Sequence, residues 1–273
     1  MAGLFGLLLG SFLNVVAWRV PRGESLVTPA SHCPHCDAPI RPWDNIPVLS
    51  WLVLRGRCRD CKATISPRYP LIELATGIAF AGVALLVMNE TVGVHTATVP
   101  GNWWLPAALT FVAFAYLAAI SIALVLIDLE HHRLPNVIVV PAYVVGIVLL
   151  GAASITSGDY NALLRAAIGG AALFTGYLAV ALLYPGGMGF GDVKLAGVLG
   201  MFMAWCGWGQ FAVGVFAAFV LGGIFSIALL LVRRAGRKTA IPFGPWMIVG
   251  AWMGITVGAY IWASYLASFG IVI

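Results

Sequence analysis

A chain of 273 residues that is 61% hydrophobic and only 9% charged is too apolar for a soluble globular domain, and its mean hydropathy of +0.97 points the same way. Its formal net charge of +5 is read by position, because Lys and Arg in such a chain report which side of a bilayer a loop occupies. Four of the five cysteines fall in one short segment as two CxxC pairs, a pattern that excludes a secreted disulfide scaffold.

Taken in chain order, apolar runs at about 3–18, 71–88, 104–127, 137–155, 163–184, 194–206, 208–232 and 243–268 predict eight membrane-spanning helices. The first run has no basic region ahead of it and ends in Arg19 and Arg22 rather than at a small-residue cleavage site. It therefore reads as a span and not as a cleavable signal. Between the first two spans lies a polar insert, so the expected organisation is a first helix at 1–18, an insert at 19–70 and a helical membrane domain at 71–273.

Basic residues set the orientation. Arg19, Arg22, Arg41, Arg55, Arg57, Arg59, Lys62 and Arg68 lie in the insert, Arg133 in the third connection, Lys194 in the fifth, and Arg233, Arg234, Arg237 and Lys238 in the seventh. Arg165 alone falls on the other side, and the second connection, 89–103, has no Lys or Arg. The odd-numbered connections are thus expected in the cytoplasm and both termini outside. Trp103, Trp104 and Trp208 are placed as interfacial anchors.

An ionisable group at the edge of the hydrocarbon is costly and marks a functional site. Six of the ten acids lie in the insert or in outer connections, leaving Glu73, Asp128, Glu130 and Asp192. Asp128 closes the third span, ahead of a Leu134-Pro135-Asn136 turn, and Asp192 opens the sixth, so both carboxylates are expected at one membrane depth. Two carboxyls a few ångströms apart cannot both ionise cheaply, and one keeps its proton. The ionised member can deprotonate a water while the protonated member polarises a peptide carbonyl and then donates to the leaving amine. Capping of the sixth helix by Asp192, and pairing of Asp128 with Arg133 or a histidine, are the structural alternatives.

Gly186, Gly187, Gly189 and Gly191 leave the backbone before Asp192 free to take positive φ and to approach another chain closely. Gly189-Phe190-Gly191-Asp192 followed by Val193-Lys194 is a GxGD signature, and the chain resembles the type IV prepilin peptidases. The resemblance runs through Gly10-Ser11-Phe12-Leu13-Asn14, Arg19-Val20-Pro21, Cys33-Pro34-His35-Cys36, Asn45-Ile46-Pro47, Arg55-Gly56-Arg57-Cys58, Ile65-Ser66-Pro67-Arg68-Tyr69-Pro70, Glu73, Leu134-Pro135-Asn136 and Pro242-Phe243-Gly244-Pro245. It implies a bacterial inner-membrane aspartic endopeptidase that removes the basic leader of prepilins and pseudopilins after a glycine, on the cytoplasmic side, with Asp128 and Asp192 as its catalytic pair. Gly189 and Gly191 are expected to help hold the substrate extended beside Asp192.

In the insert, Cys33-x-x-Cys36 and Cys58-x-x-Cys61 supply four thiolates in a reducing compartment, the ligand set of a structural Zn²⁺. His32 and His35 flank the first pair as bystanders. The resemblance further implies N-methylation of the new N-terminus with S-adenosylmethionine, although no strand followed by a glycine-rich turn is visible to bind a nucleotide. Glu73, just inside the second span, is assigned either a substrate-positioning role or a salt bridge to Arg68. The basic insert faces anionic membrane lipids and is no sign of nucleic acid. An ion-coupled transporter using Asp128 and Asp192 as a relay is the competing class, but it would place acids along a path through the midplane or show paired inverted halves.

Overall fold

The computed structural model of the chain describes residues 1–92, 104–184, 188–232 and 242–271. Nine α-helices form among them: α1 (Ala2–Arg19), α2 (Leu49–Val53), α3 (Arg68–Met88), α4 (Trp104–His131), α5 (Asn136–Ser157), α6 (Tyr160–Leu183), α7 (Phe190–Cys206), α8 (Trp208–Leu231) and α9 (Gly244–Ala267). Extended pairing among the described residues is limited to two isolated bridges, His32 with Pro39 and Arg57 with Thr64.

The eight long helices correspond to the eight expected spans, with ends displaced by about one turn at most. The largest displacements are at the end of α4 and the start of α7. There the polar residues Asp128 to His131 and Gly191 to Lys194 continue the helix beyond the apolar run. Seven of the eight are long and apolar enough to cross a membrane. The eighth, α7, has 17 residues, of which Val193 and every residue from Leu195 to Trp205 are buried. Its ~26 Å length falls short of the bilayer core, and a helix shielded by protein on all sides need not match that thickness. The basic run at 233–238 and residues 93–103 of the second connection, Trp103 among them, together with Gly186 and Gly187, lie outside the described residues.

The chain forms two compact units, one of residues 1–85 and 115–127, the other of residues 86–114 and 128–273. In the first, α1 and α3 pack through small residues. A Cβ on Gly10 would lie 2.6 Å from Glu73 Cα, and one on Gly6 would lie 2.7 Å from the Thr76 carbonyl oxygen. Lipid supplies no hydrophobic drive between helices, so close backbone approach and dispersion hold such a pair. Asn14 Nδ2 donates to the carbonyls of Gly10 and Tyr69, and the buried Arg19 guanidinium donates to those of Ser25 and Pro29, at 2.8 and 2.7 Å.

In the second unit α7 is the central element, packed by α5, α6, α8 and α9. Gly200 sits on the Gly169 carbonyl of α6, and Gly250 and Gly254 of α9 lie against Gly214 of α8. Trp205 Nε1 donates to Ser154 Oγ at 2.9 Å, a buried polar pair within this core. Arg165, the exception to the charge bias, donates to the Ala204 and Trp205 carbonyls at the C-terminus of α7, where a cation offsets the helix dipole.

Candidate active site and metal centre

Asp128 lies in the last turn of α4 and is 5% exposed. At 28 residues α4 is ~42 Å long, about 12 Å more than the hydrocarbon is thick, so its last turns reach the polar margin of the bilayer. His132, at φ 49°, ends the helix, and its N–H closes on the Asp128 carbonyl at 2.9 Å. Pro135, which has no N–H to leave unpaired, then stands as N-cap of α5. Asp128 Oδ2 and His131 Nε2 are both buried at this end of α4, without a hydrogen-bond partner among the described residues.

Asp192 is the third residue of α7. Its Oδ2 accepts from the Gly189 N–H at 3.2 Å, and its own N–H donates to the Gly189 carbonyl at 3.0 Å. The carboxylate thus reaches back to cap its own helix, and the charge of Asp128 also acts on it. The expected backbone freedom is not what the two described glycines of the signature supply. Gly189 is extended at φ −76° and Gly191 is helical. Gly191 is required for its size: a Cβ there would sit 3.0 Å from Leu134 Cβ, so its absence lets the first turn of α7 close on the α4–α5 turn. That approach sets the α7 turn that carries Asp192 beside the turn that follows Asp128.

Three further features surround the pair and are missed by sequence reasoning or noticed there only as part of a motif. Gly244, first residue of α9, lies against the Asp128 carboxyl: a Cβ on it would fall 2.7 Å from Asp128 Oδ2. Tyr177 of α6 is buried and feels the charge of Asp192. Its ring packs with Phe219 and Phe243, at centroid separations of 5.8 and 6.3 Å. Lys194 donates from Nζ to Asn136 Oδ1 at 2.9 Å, and Tyr143 donates to the Lys194 carbonyl at 2.6 Å, tying the start of α7 to α5.

The four insert cysteines come together: one sulfur from each of Cys33, Cys36, Cys58 and Cys61 lies within 4.8 Å of the others. The 3.8 Å separation of the Cys33 and Cys61 sulfurs matches the ~3.8 Å edge of a tetrahedron with metal–sulfur bonds of ~2.3 Å. Two equivalent turns build this cluster. Cys33 N–H donates to Ala38 O and Asp37 N–H to Cys33 O, and Cys58 N–H donates to Ala63 O and Lys62 N–H to Cys58 O. Asp37 and Lys62 take φ of 54° and 61°, one residue past each CxxC. The Cys61 and Asp60 backbone N–H groups aimed at the Cys58 sulfur lower its pKa to about 7, which favours the thiolate a metal needs. The cluster can hold a metal ion.

Glu73 is buried on α3, and its Oε2 accepts from the Val48 N–H at 2.7 Å. Val48 has φ 63° and ψ −50° and bridges a 2.6 Å contact from Leu49 N–H to Pro47 O, which is a γ-turn of the strained kind at a β-branched residue. Glu73 therefore anchors the Asn45-Ile46-Pro47 stretch to the membrane helices.

Residues 4–87 match the bacterial peptidase A24 N-terminal domain and residues 115–227 the type IV leader peptidase family. The prepilin leader peptidase/N-methyltransferase of Stutzerimonas stutzeri is 35% identical over 96% of this chain and 92% of that protein. The Aeromonas hydrophila protein of the same name is 36% identical over 97% and 93%. The type 4 prepilin-like proteins leader peptide-processing enzyme of Escherichia coli O78:H11 is 36% identical over 92% and 90%. No solved structure matches the chain significantly. Both halves of the sequence, and not the GxGD signature alone, carry the likeness, and the chain belongs to the type IV leader peptidase family.

Proposed function

We propose that this protein is a multi-pass inner-membrane aspartic endopeptidase that removes the basic leader from type IV prepilins and pseudopilins and N-methylates the new N-terminus. The observation that carries the proteolytic reading is that Asp128 and Asp192, on two helix ends that both fall in the second unit, lie close enough that the charge of one acts on the other. One carboxylate takes a proton from water, the other holds the peptide carbonyl and returns a proton to the leaving amine. Asp128 Oδ2, without a hydrogen-bond partner among the described residues, is the free acceptor or donor this division of labour needs. The bias of Lys and Arg toward the insert and the other odd-numbered connections supports a cytoplasmic site, where a prepilin held by its own apolar helix presents its leader. The ion-relay alternative draws no support from any of these observations.

The metal is assigned as Zn²⁺, held by Cys33, Cys36, Cys58 and Cys61, with a structural role, since four protein thiolates leave it no open position. Methyl transfer comes from the names of the relatives. S-adenosylmethionine would supply the methyl group. The described residues form no strand–turn–helix nucleotide fold to hold it, and no step is derived from them.

The test is cleavage of a detergent-solubilised prepilin by the purified protein, with and without S-adenosylmethionine and with mass readout. Wild type removes the leader, and folded Asp128→Asn and Asp192→Asn variants do not. A methyl increment on the product establishes the second activity. Full-rate cleavage by either variant would overturn the catalytic assignment.

A further inference from the structure

The insert carries an apolar surface that its own fold leaves uncovered. Trp43, Ile46, Leu49, Leu52 and Val53 are exposed, at 61, 48, 60, 57 and 76%. They are contiguous in structure: α2 carries three of them, and Ser50 Oγ donates to the Trp43 carbonyl at 3.0 Å, holding the Pro42–Asn45 turn against the helix. Isolated exposed apolar side chains are ordinary on any protein, but five grouped on a small polar segment mark an interaction surface.

What covers that surface is indicated by the charges beside it. A cleft lined by Leu54, Arg55, Arg57, Cys58 and Lys62 begins where α2 ends. Of the five cations at 41–62, Arg59 is held by Asp44 and Arg41 by Asp60. The three without a carboxylate partner among the described residues are Arg55, Arg57 and Lys62, the three in the cleft. Arg55 and Gly56 both take left-handed backbone, at φ 53° and 65°, which turns the chain sharply beneath them. An apolar edge beside a cleft of three cations without a carboxylate partner among the described residues is complementary to an anionic phospholipid, apolar below its phosphate and negatively charged at it. Tethering favours the same partner. The insert is bound at both ends to spans, α1 and α3, and Trp18 with Arg22 stacked over it at 3.6 Å, and Tyr69, mark those ends as interfacial. The surface therefore never leaves the neighbourhood of the headgroups.

We propose that Trp43 and the exposed edge of α2 dip into the bilayer interface while Arg55, Arg57 and Lys62 take the phosphate of an anionic phospholipid, making the insert a lipid-docking module. This goes beyond the peptidase reading and is tested without enzymatic activity. The full protein is placed in bilayers of equal phosphatidylglycerol and phosphatidylcholine, with bromine near the headgroup of one lipid or the other. Emission of Trp43 is obtained as wild type minus Trp43→Phe. Brominated phosphatidylglycerol is expected to quench Trp43 at least twice as strongly as brominated phosphatidylcholine. The triple variant Arg55→Gln, Arg57→Gln, Lys62→Gln equalises the two, and Leu52→Glu with Val53→Glu removes quenching by both. Equal quenching by both lipids in wild type, or none by either, overturns the proposal. So does Trp43 becoming shielded only when a prepilin is added, an outcome that gives the surface to substrate instead. The wild-type comparison alone decides if the charge variants fail to fold.

Discussion

Replacing Gly244 by alanine should separate the chemistry of the site from the stability of the fold. The new Cβ would lie 2.7 Å from Asp128 Oδ2, and ordinary contact begins at 3.4 Å, so 3.4 − 2.7 = 0.7 Å must be found. The atom that has to yield is the end of a side chain and not backbone, so the helices can stay where they are. For a helix start such as Gly244, alanine is the better residue by up to about 1 kcal/mol, and the thermal midpoint should hold or rise. The carboxylate, however, is displaced by a distance comparable to the ~1 Å error that costs about 100-fold in a positioned reaction. Cleavage of a prepilin should fall by roughly 10- to 100-fold, or about 1.4–2.7 kcal/mol of barrier, with methylation of a pre-cleaved substrate unaffected. Initial rates and a melting curve on the same preparation check both halves. A variant that cleaves within twofold of wild type would show that Gly244 does not hold Asp128, and that the close approach is incidental.

Gly191 offers a graded version of this experiment. Activity of Ser, Ala, Asn and Val variants should fall with side-chain volume as each meets Leu134, whereas recovery in Asn, which tolerates positive φ, would restore the flexible-backbone reading. The Lys194–Asn136 bond predicts a coupled pair: Lys194→Met and Asn136→Ala each lower the cleavage rate by about fivefold, and the double variant is no worse than the worse single one. Additive losses would mean the residues act separately. Chelation, or Cys61→Ser, should open the insert, measured as protease cleavage within 19–70 and as new reactivity of the remaining knuckle thiols, and unchanged protection would remove the metal. Glu73→Ala should destabilise the first unit by about 1–3 kcal/mol, while Glu73→Gln, which keeps an acceptor for the Val48 N–H, should lose much less.

The spans were legible because the membrane makes each one a continuous apolar run, and the same simplicity explains the errors at their ends. Asp128, Glu130 and His131 fall outside any hydropathy criterion yet continue α4 by a turn. The four cysteines were legible from spacing alone. The left-handed residues after each pair were not, because Asp37 and Lys62 stand where glycine would have signalled the turn. For Glu73 the sequence offered a nearby arginine or a substrate. The structure gives a backbone N–H 25 residues away, a partner that no side-chain pattern encodes. Tyr177 was illegible for a related reason: in a chain this rich in aromatics, only packing distinguishes this buried ring, which stacks with Phe219 and Phe243, from those left exposed.

The glycines around the dyad show what kind of information a membrane site needs. In water, apolar burial would draw α4, α7 and α9 together and side chains would interdigitate at their contacts. In lipid that drive is absent, and backbone proximity must be built by omitting atoms. Gly189 places its amide on Asp192 Oδ2, Gly191 admits the Leu134 turn, and Gly244 lets a helix start come against Asp128 Oδ2. Each lies where a methyl group would meet a carboxylate or the turn that carries one. The surroundings of the two aspartates are therefore shaped by three absent side chains, on two segments distant in sequence. The four-residue signature contains two of them, and Gly244, 52 residues after Asp192, completes the set.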